Sequence, residues 1–72
     1  MKELVANWYQ EAGGIGTIET ELVENENKMT LNIYTDIPGC MNGSRGELFT
    51  KYYAKIVEKE PSITKIFLYH TK

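Results

Sequence analysis

Apolar and polar positions alternate along this chain with two periods, and the switches between them mark its elements. Leu4, Val5, Trp8, Tyr9 and Ala12 fall on one face of a 3.6-residue period, which predicts a helix over Lys2–Ala12. Gly13-Gly14 then stops it. From Ile15 to Glu24 the period drops to two. Ile18, Thr20 and Leu22 alternate with Glu19, Glu21 and Val23, the pattern of a strand with one wet face. Asn25-Glu26-Asn27-Lys28 reads as a polar turn. A second strand follows over Met29–Thr35, with Met29, Leu31 and Ile33 on one face and Thr30, Asn32 and Tyr34 on the other. Two such runs joined by a short turn predict an antiparallel hairpin.

Asp36 to Ser44 reads as a loop, punctuated by Pro38-Gly39 and Asn42-Gly43. Ser44-Arg45-Gly46-Glu47 has the spacing of a capping box, serine at the cap and glutamate three residues on. Leu48, Phe49, Tyr52, Tyr53, Ile56 and Val57 form the apolar stripe of a second helix. Lys51, Lys55 and Lys59 line its other side, and Glu47 and Lys51 are spaced for an i, i+4 pair. Pro61 ends the helix. Ile63 to Tyr69 is the last strand. Its run Ile66-Phe67-Leu68-Tyr69 is continuously apolar, as in a central strand covered on both faces, or one covered on one face and paired in a complex. The order α-β-β-α-β gives an α+β single domain, residues 1–72. The expected architecture is a three-stranded mixed sheet packed by two helices, with a right-handed β-α-β crossover from Met29 to Tyr69.

Composition narrows the function classes. A chain of 72 residues buries only about 60% of the surface its unfolded form exposes. A single core of that size supplies roughly 3–5 kcal/mol net. That argues for self-association, as a homodimer, or for a protein partner. No apolar run approaches the roughly 18–20 residues of a membrane span. The opening Met-Lys-Glu-Leu-Val has no apolar core of a signal peptide. One cysteine forms no intrachain disulfide. The expectation is a cytoplasmic protein with no membrane partner and no cofactor.

The net charge of −2 conceals an asymmetry. Residues 1–44 carry two lysines against seven acids, and residues 45–72 carry six basic residues against three acids. The acids gather on the first hairpin (Glu19, Glu21, Glu24, Glu26) and the bases on the second helix (Lys51, Lys55, Lys59). A bipolar surface suits complementary protein contact, which gains on-rate and register from opposed patches. Three lysines interrupted by Glu58 and Glu60 read as a solvated helix face. Nucleic-acid binding there is a less favoured alternative. Glu19 and Glu21 share a strand face that reads as solvated. Ser44 reads as a cap and His70 as a solvated terminal residue. Trp8 and Tyr9 read as core.

The one loop that offers chemistry is Gly39, Cys40, Asn42, Gly43, Ser44 and Arg45. It lies between a strand and the expected helix N-terminus, whose free N–H groups favour anions. A thiol at Cys40, near Arg45, is a candidate nucleophile. The stretch Leu31-Asn-Ile-Tyr-Thr-Asp-Ile-Pro-Gly-Cys40 resembles the zinc-dependent nucleoside deaminases, in particular their bacterial toxin branch. That family's strand ends in Tyr-Thr-Glu and is followed by Pro-Cys-x-x-Cys. Phe49, Tyr53 and Pro61-Ser-Ile63 extend the resemblance over Met29–Tyr69. It implies a zinc site of two cysteines and a histidine, with a glutamate as proton shuttle. Here Cys40 matches the first cysteine, Gly43 stands at the second, and the preceding His-x-Glu is absent. The resemblance thus implies a degenerate relative with no metal residues and no deaminase activity. Cys40-Met-Asn-Gly43-Ser-Arg45 is also similar to the Cys-x-x-Gly-x-Arg persulfide loop of the rhodanese-type sulfurtransferases, over six residues.

The reading that absorbs most of these features is a non-enzymatic interaction module. It would be an inhibitor or accessory subunit, acting through its bipolar charge and an open sheet edge. By analogy of composition alone, it is similar to small acidic single domains that block nucleic-acid-handling proteins, as some phage anti-defence proteins do. The alternative is a site that depends on Cys40 and Arg45.

Overall fold

The computed structural model describes residues 2–71. Helix α1 spans Lys2–Glu11, strand β1 Glu19–Asn25 and strand β2 Lys28–Thr35. A short helix α2, Pro38–Asn42, and a single 3-10 turn, Ser44–Gly46, lead into α3, Glu47–Lys59. Strand β3, Ile63–His70, closes the chain. The sheet has the order β1-β2-β3. β1 and β2 are antiparallel, and β2 and β3 are parallel. This is the small α+β domain expected, a mixed three-stranded sheet with two principal helices.

α1 and α3 lie side by side on one face of the sheet. Val5, Trp8 and Tyr9 of α1 and Tyr52 and Ile56 of α3 meet Leu31, Ile33, Ile63 and Ile66 beneath them. Trp8 is fully buried at the centre. Its ring stacks on Tyr52 at 5.6 Å and takes Phe49 edge-on at 5.6 Å. Its indole N–H donates to the Met41 carbonyl at 2.6 Å, so a polar atom in the core keeps a partner.

Four details depart from the sequence-based expectation. First, β1 begins at Glu19 rather than Ile15. The preceding segment wraps around Tyr9 instead. The Gly14 N–H donates to the Tyr9 carbonyl at 2.9 Å and the Gly16 N–H to the Tyr9 hydroxyl at 3.2 Å. A Cβ at Gly14 would run into the Tyr9 ring. Ile15 is left fully exposed. Second, the hairpin turn is tighter than four residues. Asn25 pairs with Lys28, and Glu26 and Asn27 both have positive φ (49° and 70°), the signature of a two-residue type I′ turn.

Third, the Asp36–Ser44 connection is partly helical. Pro38 sits in the first turn of α2, where its missing N–H and fixed φ are suited. The Ile37 N–H just before it donates to the Thr35 Oγ1 at 3.1 Å. Fourth, β3 is an edge strand, not the central one. The hairpin occupies one side of β2, so the parallel crossover can place β3 only on the other. Its apolar run is therefore split between two environments. Ile66 is buried and Leu68 half-buried beneath the helices, whereas Phe67 and Tyr69 stand out on the opposite face.

Candidate functional site

The loop singled out for chemistry does not assemble the expected site. Cys40 is the third residue of α2 and is exposed. It does not stand at the N-terminus of the long helix. The capping box is not formed either. α3 starts at Glu47, its N-cap is Gly46 in the left-handed conformation (φ 74°), and no side chain caps it. The turn from α2 into α3 explains this. Gly43 (φ 79°), Arg45 (φ 57°) and Gly46 all take positive φ, and the reversal moves Ser44 a full 3-10 turn away from the helix start. A Cβ at Gly43 would lie 2.8 Å from Leu48 Cβ, so a cysteine at this position would be both crowded and strained. Asn42 and Gly39 belong to α2. Among the described residues no three His, Cys, Asp or Glu side chains are grouped to hold a metal ion.

The lysines of α3 are not a uniform cationic stripe. Lys51 bonds the Glu11 carboxylate at 2.8 and 2.9 Å, tying α3 to α1 rather than pairing with Glu47. The Tyr52 hydroxyl donates to the same carboxylate at 2.8 Å. The ammonium and the hydroxyl together hold the Glu11 carboxyl below its usual range. Hydrogen bonding to Glu11 raises Lys51. Burial first, and the Glu11 carboxylate second, raise Tyr52. Lys51 and Lys55 each lie 5.3 Å from the centre of the Tyr52 ring, within cation–π range. Lys55 and Lys59 border a shallow groove with Leu4 and Glu58.

The acidic residues of the hairpin do not share a face. In the pairing register Glu19 stands opposite Tyr34 and Glu21 opposite Asn32, on the face away from the helices. Glu24 stands opposite Met29, on the helix side, and Glu26 sits in the turn. Every residue of β1 is exposed, because α1 and α3 do not reach across to it.

What the structure does assemble is the open face of the sheet. The register places Glu19, Glu21 and Val23 of β1, Thr30, Asn32 and Tyr34 of β2, and Lys65, Phe67 and Tyr69 of β3 on one surface. No element of the described chain covers it. Its apolar members are well exposed: Phe67 at 44%, Tyr69 at 43% and Val23 at 42%. Tyr34 stacks on Tyr69 at 5.5 Å and 22°, and Phe67 lies 6.2 Å from Tyr69. Glu21 fixes the acidic border, accepting from Asn32 Nδ2 at 3.2 Å and from the Tyr34 hydroxyl at 3.1 Å. That second bond raises the Tyr34 hydroxyl above its usual value. The Asn32 Oδ1 is buried and has no hydrogen-bond partner. At one end the face runs into a groove of about 340 Å³ lined by Glu19, Tyr34, His70 and Thr71.

The apolar run Ile66–Tyr69 allows a strand covered on both faces or one covered on a single face and paired, and it does not by itself mark this face. The signal was present, since Lys65, Phe67 and Tyr69 recur at every second position.

No protein-family model, curated protein or solved structure matches this chain. The functional reading therefore rests on the geometry above.

Proposed function

We propose that this chain is a non-enzymatic protein-binding module, of the inhibitor or accessory-subunit type. It engages a partner protein through the open face of its sheet. The observation that carries the reading is an uncovered three-stranded surface with an aromatic cluster, Tyr34, Phe67 and Tyr69, beside a carboxylate border. Aromatic residues are enriched in protein interfaces, and exposed apolar patches rimmed by polar groups mark such contacts. The border is bipolar, with Glu19 and Glu21 on the β1 side and Lys65 on the β3 side. A fitting partner presents a flat apolar surface with cations placed to meet β1.

The resemblance of Met29–Tyr69 to the nucleoside deaminases enters this proposal as kinship of the β-α-β unit, with no catalytic step carried over.

The test is site-specific photocrosslinking in the native host. A photoreactive residue replaces Thr30, at the centre of the open face, or Lys59, on α3. The expected result is a discrete heterologous adduct from position 30 that is lost in Glu21→Lys and weakened in Lys65→Glu. Adducts from position 59 with none from position 30 would move the interface to the helices and overturn the proposal.

A further inference from the structure

The sheet has two free edges, and they differ in a way that selects a partner for one of them. β1 carries Glu19, Glu21 and Glu24 and no basic residue. Pairing it with its own copy would collect all of those carboxylates in one two-stranded ribbon, and like charges across a strand pair are destabilising. β3 carries no acid, a single lysine and four consecutive apolar residues. The devices that normally block an edge are a proline, several charges or a covering element. Along Lys65–Tyr69 the strand has only the one charge.

The ladder shows which backbone groups are free. The Thr71 N–H donates to the Thr35 carbonyl at 3.0 Å. In a parallel ladder this directs Lys65, Phe67 and Tyr69 toward β2 and Ile66 and Leu68 outward, up to the register shift between Met29 and Thr30, before which the Ile63 N–H turns back to the Glu60 carbonyl. The amides and carbonyls of Ile66 and Leu68 thus face the free edge. Thr64 lies at that register shift, and its carbonyl already accepts from the Tyr53 hydroxyl at 2.9 Å. The open part of the edge is Lys65 to Tyr69.

We infer that a second copy of this chain occupies that edge, β3 against β3 in antiparallel register about a two-fold axis at Phe67. This register matches every position on the open edge. Ile66 exchanges both backbone hydrogen bonds with Leu68 of the second copy, and the symmetry repeats the exchange. Beneath the sheet, Ile66 meets Leu68. On the open face, Phe67 meets its own counterpart in a non-hydrogen-bonded pair, where side chains are closest, with Cα atoms about 4.5 Å apart. Lys65 meets the Tyr69 ring of the second copy, a cation over an aromatic face. The two Lys65 side chains stay about 14 Å apart, at ~3.4 Å per residue, beyond the ~8 Å screening length at physiological salt.

The product is a six-stranded sheet in the order β1-β2-β3-β3-β2-β1, closed by two-fold symmetry. Its outer edges are the acidic β1 strands, which stop further growth. The two open faces become one continuous surface on the same side. The edge shares Lys65, Phe67 and Tyr69 with the face proposed above to bind another protein, but its backbone hydrogen bonds belong to the edge alone, so N-methylation tests the dimer and the crosslink from position 30 tests the face.

The test begins with sedimentation velocity and native mass spectrometry of the full chain, where a dimer is expected at micromolar concentration. The single cysteine allows chemical ligation at the Gly39–Cys40 bond. The segment from Cys40 onward is made with the Leu68 amide N-methylated, which removes one edge donor and keeps the side chain. A monomer with an unchanged circular dichroism spectrum is expected. In a Cys40→Ser background, Phe67→Cys should form an interchain disulfide on oxidation, since its Cα separation suits one, while Lys65→Cys should not. A monomer at every concentration, assemblies larger than a dimer, a dimer indifferent to N-methylation, or crosslinking at position 65 in place of 67 would each overturn the inference.

Discussion

The two faces of this sheet are built from the same strands and behave as different materials. Beneath, Leu31, Ile33, Ile63 and Ile66 are sealed under α1 and α3, and Trp8 fills the centre with its one polar atom bonded to Met41. Above, Tyr34 stacks on Tyr69 with Phe67 tilted beside it, and Asn32 and Tyr34 both donate to the Glu21 carboxylate from the neighbouring strand. The interactions on the two faces differ in worth. Burial of apolar area contributes about 25 cal/mol per Å². Exposed polar pairs exchange one set of hydrogen bonds for another with water and yield little net. Stability should therefore reside beneath the sheet, and sensitivity to partners above it.

The largest effect expected from breaking this division is Trp8→Ala, which removes the ring stacked on Tyr52. A loss of about 3–5 kcal/mol is anticipated. In a domain of this size that approaches the whole stability, so urea titration followed by circular dichroism should find the variant largely unfolded without denaturant. Gly43→Ala comes next. Its positive φ and the neighbouring Leu48 side chain predict a loss of roughly 1–3 kcal/mol in the same titration. Gly39, which has open space around it, serves as the control site within the same connection.

On the open face, Phe67→Ser should change stability by about 1 kcal/mol or less, while weakening any complex formed there. A variant as unstable as Trp8→Ala would show that the face belongs to the core after all. Tyr34→Phe, which deletes only the hydroxyl bonded to Glu21, should shift stability by no more than about 0.5 kcal/mol.

The smallest effect is electrostatic. The folded Glu11 carboxyl lies below its unfolded value, so its contribution is fully present above about pH 4.5 and is lost as pH falls below that. Lys51 is raised, so the same pair loses its contribution as pH climbs past 10.5. Both groups are exposed and screened by solvent. The check is urea midpoints at pH 3 and pH 6 for the native chain and for Glu11→Gln. The variant should show the shallower pH dependence.

Legibility in the sequence followed the same division. The α3 stripe from Leu48 to Ile56 and the β2 alternation are readable because one side of each element is buried, and burial writes a period. β3 is ambiguous for the converse reason. Phe67 and Tyr69 sit on a face that ordinary solubility would fill with polar residues, so Ile66–Tyr69 reads equally as a strand covered on both faces or as one covered on a single face and paired. The Ser44 cap failed because Gly46 adopts positive φ, a tertiary demand of the α2–α3 turn that leaves a serine-x-x-glutamate spacing intact but unused. The Glu11–Lys51 bridge joins residues 40 apart, and no local spacing announces such a pair. Cys40 is exposed, whereas its neighbour Met41 is buried and accepts the Trp8 indole N–H.

The Trp8–Met41 contact also gives the molecule a built-in optical probe. Trp8 is the sole indole in the chain. It lies in a dry site, stacked on one tyrosine ring and hydrogen-bonded to a carbonyl thirty-three residues away. Its emission should be short in wavelength while α1 is seated and should move to the red when α1 lifts, before the hairpin comes apart. Fluorescence then reads the joining of the chain's first helix to its middle. Circular dichroism reads helix and strand wherever they are. The separation between the two signals along one denaturation curve would report how cooperatively so small a protein holds together.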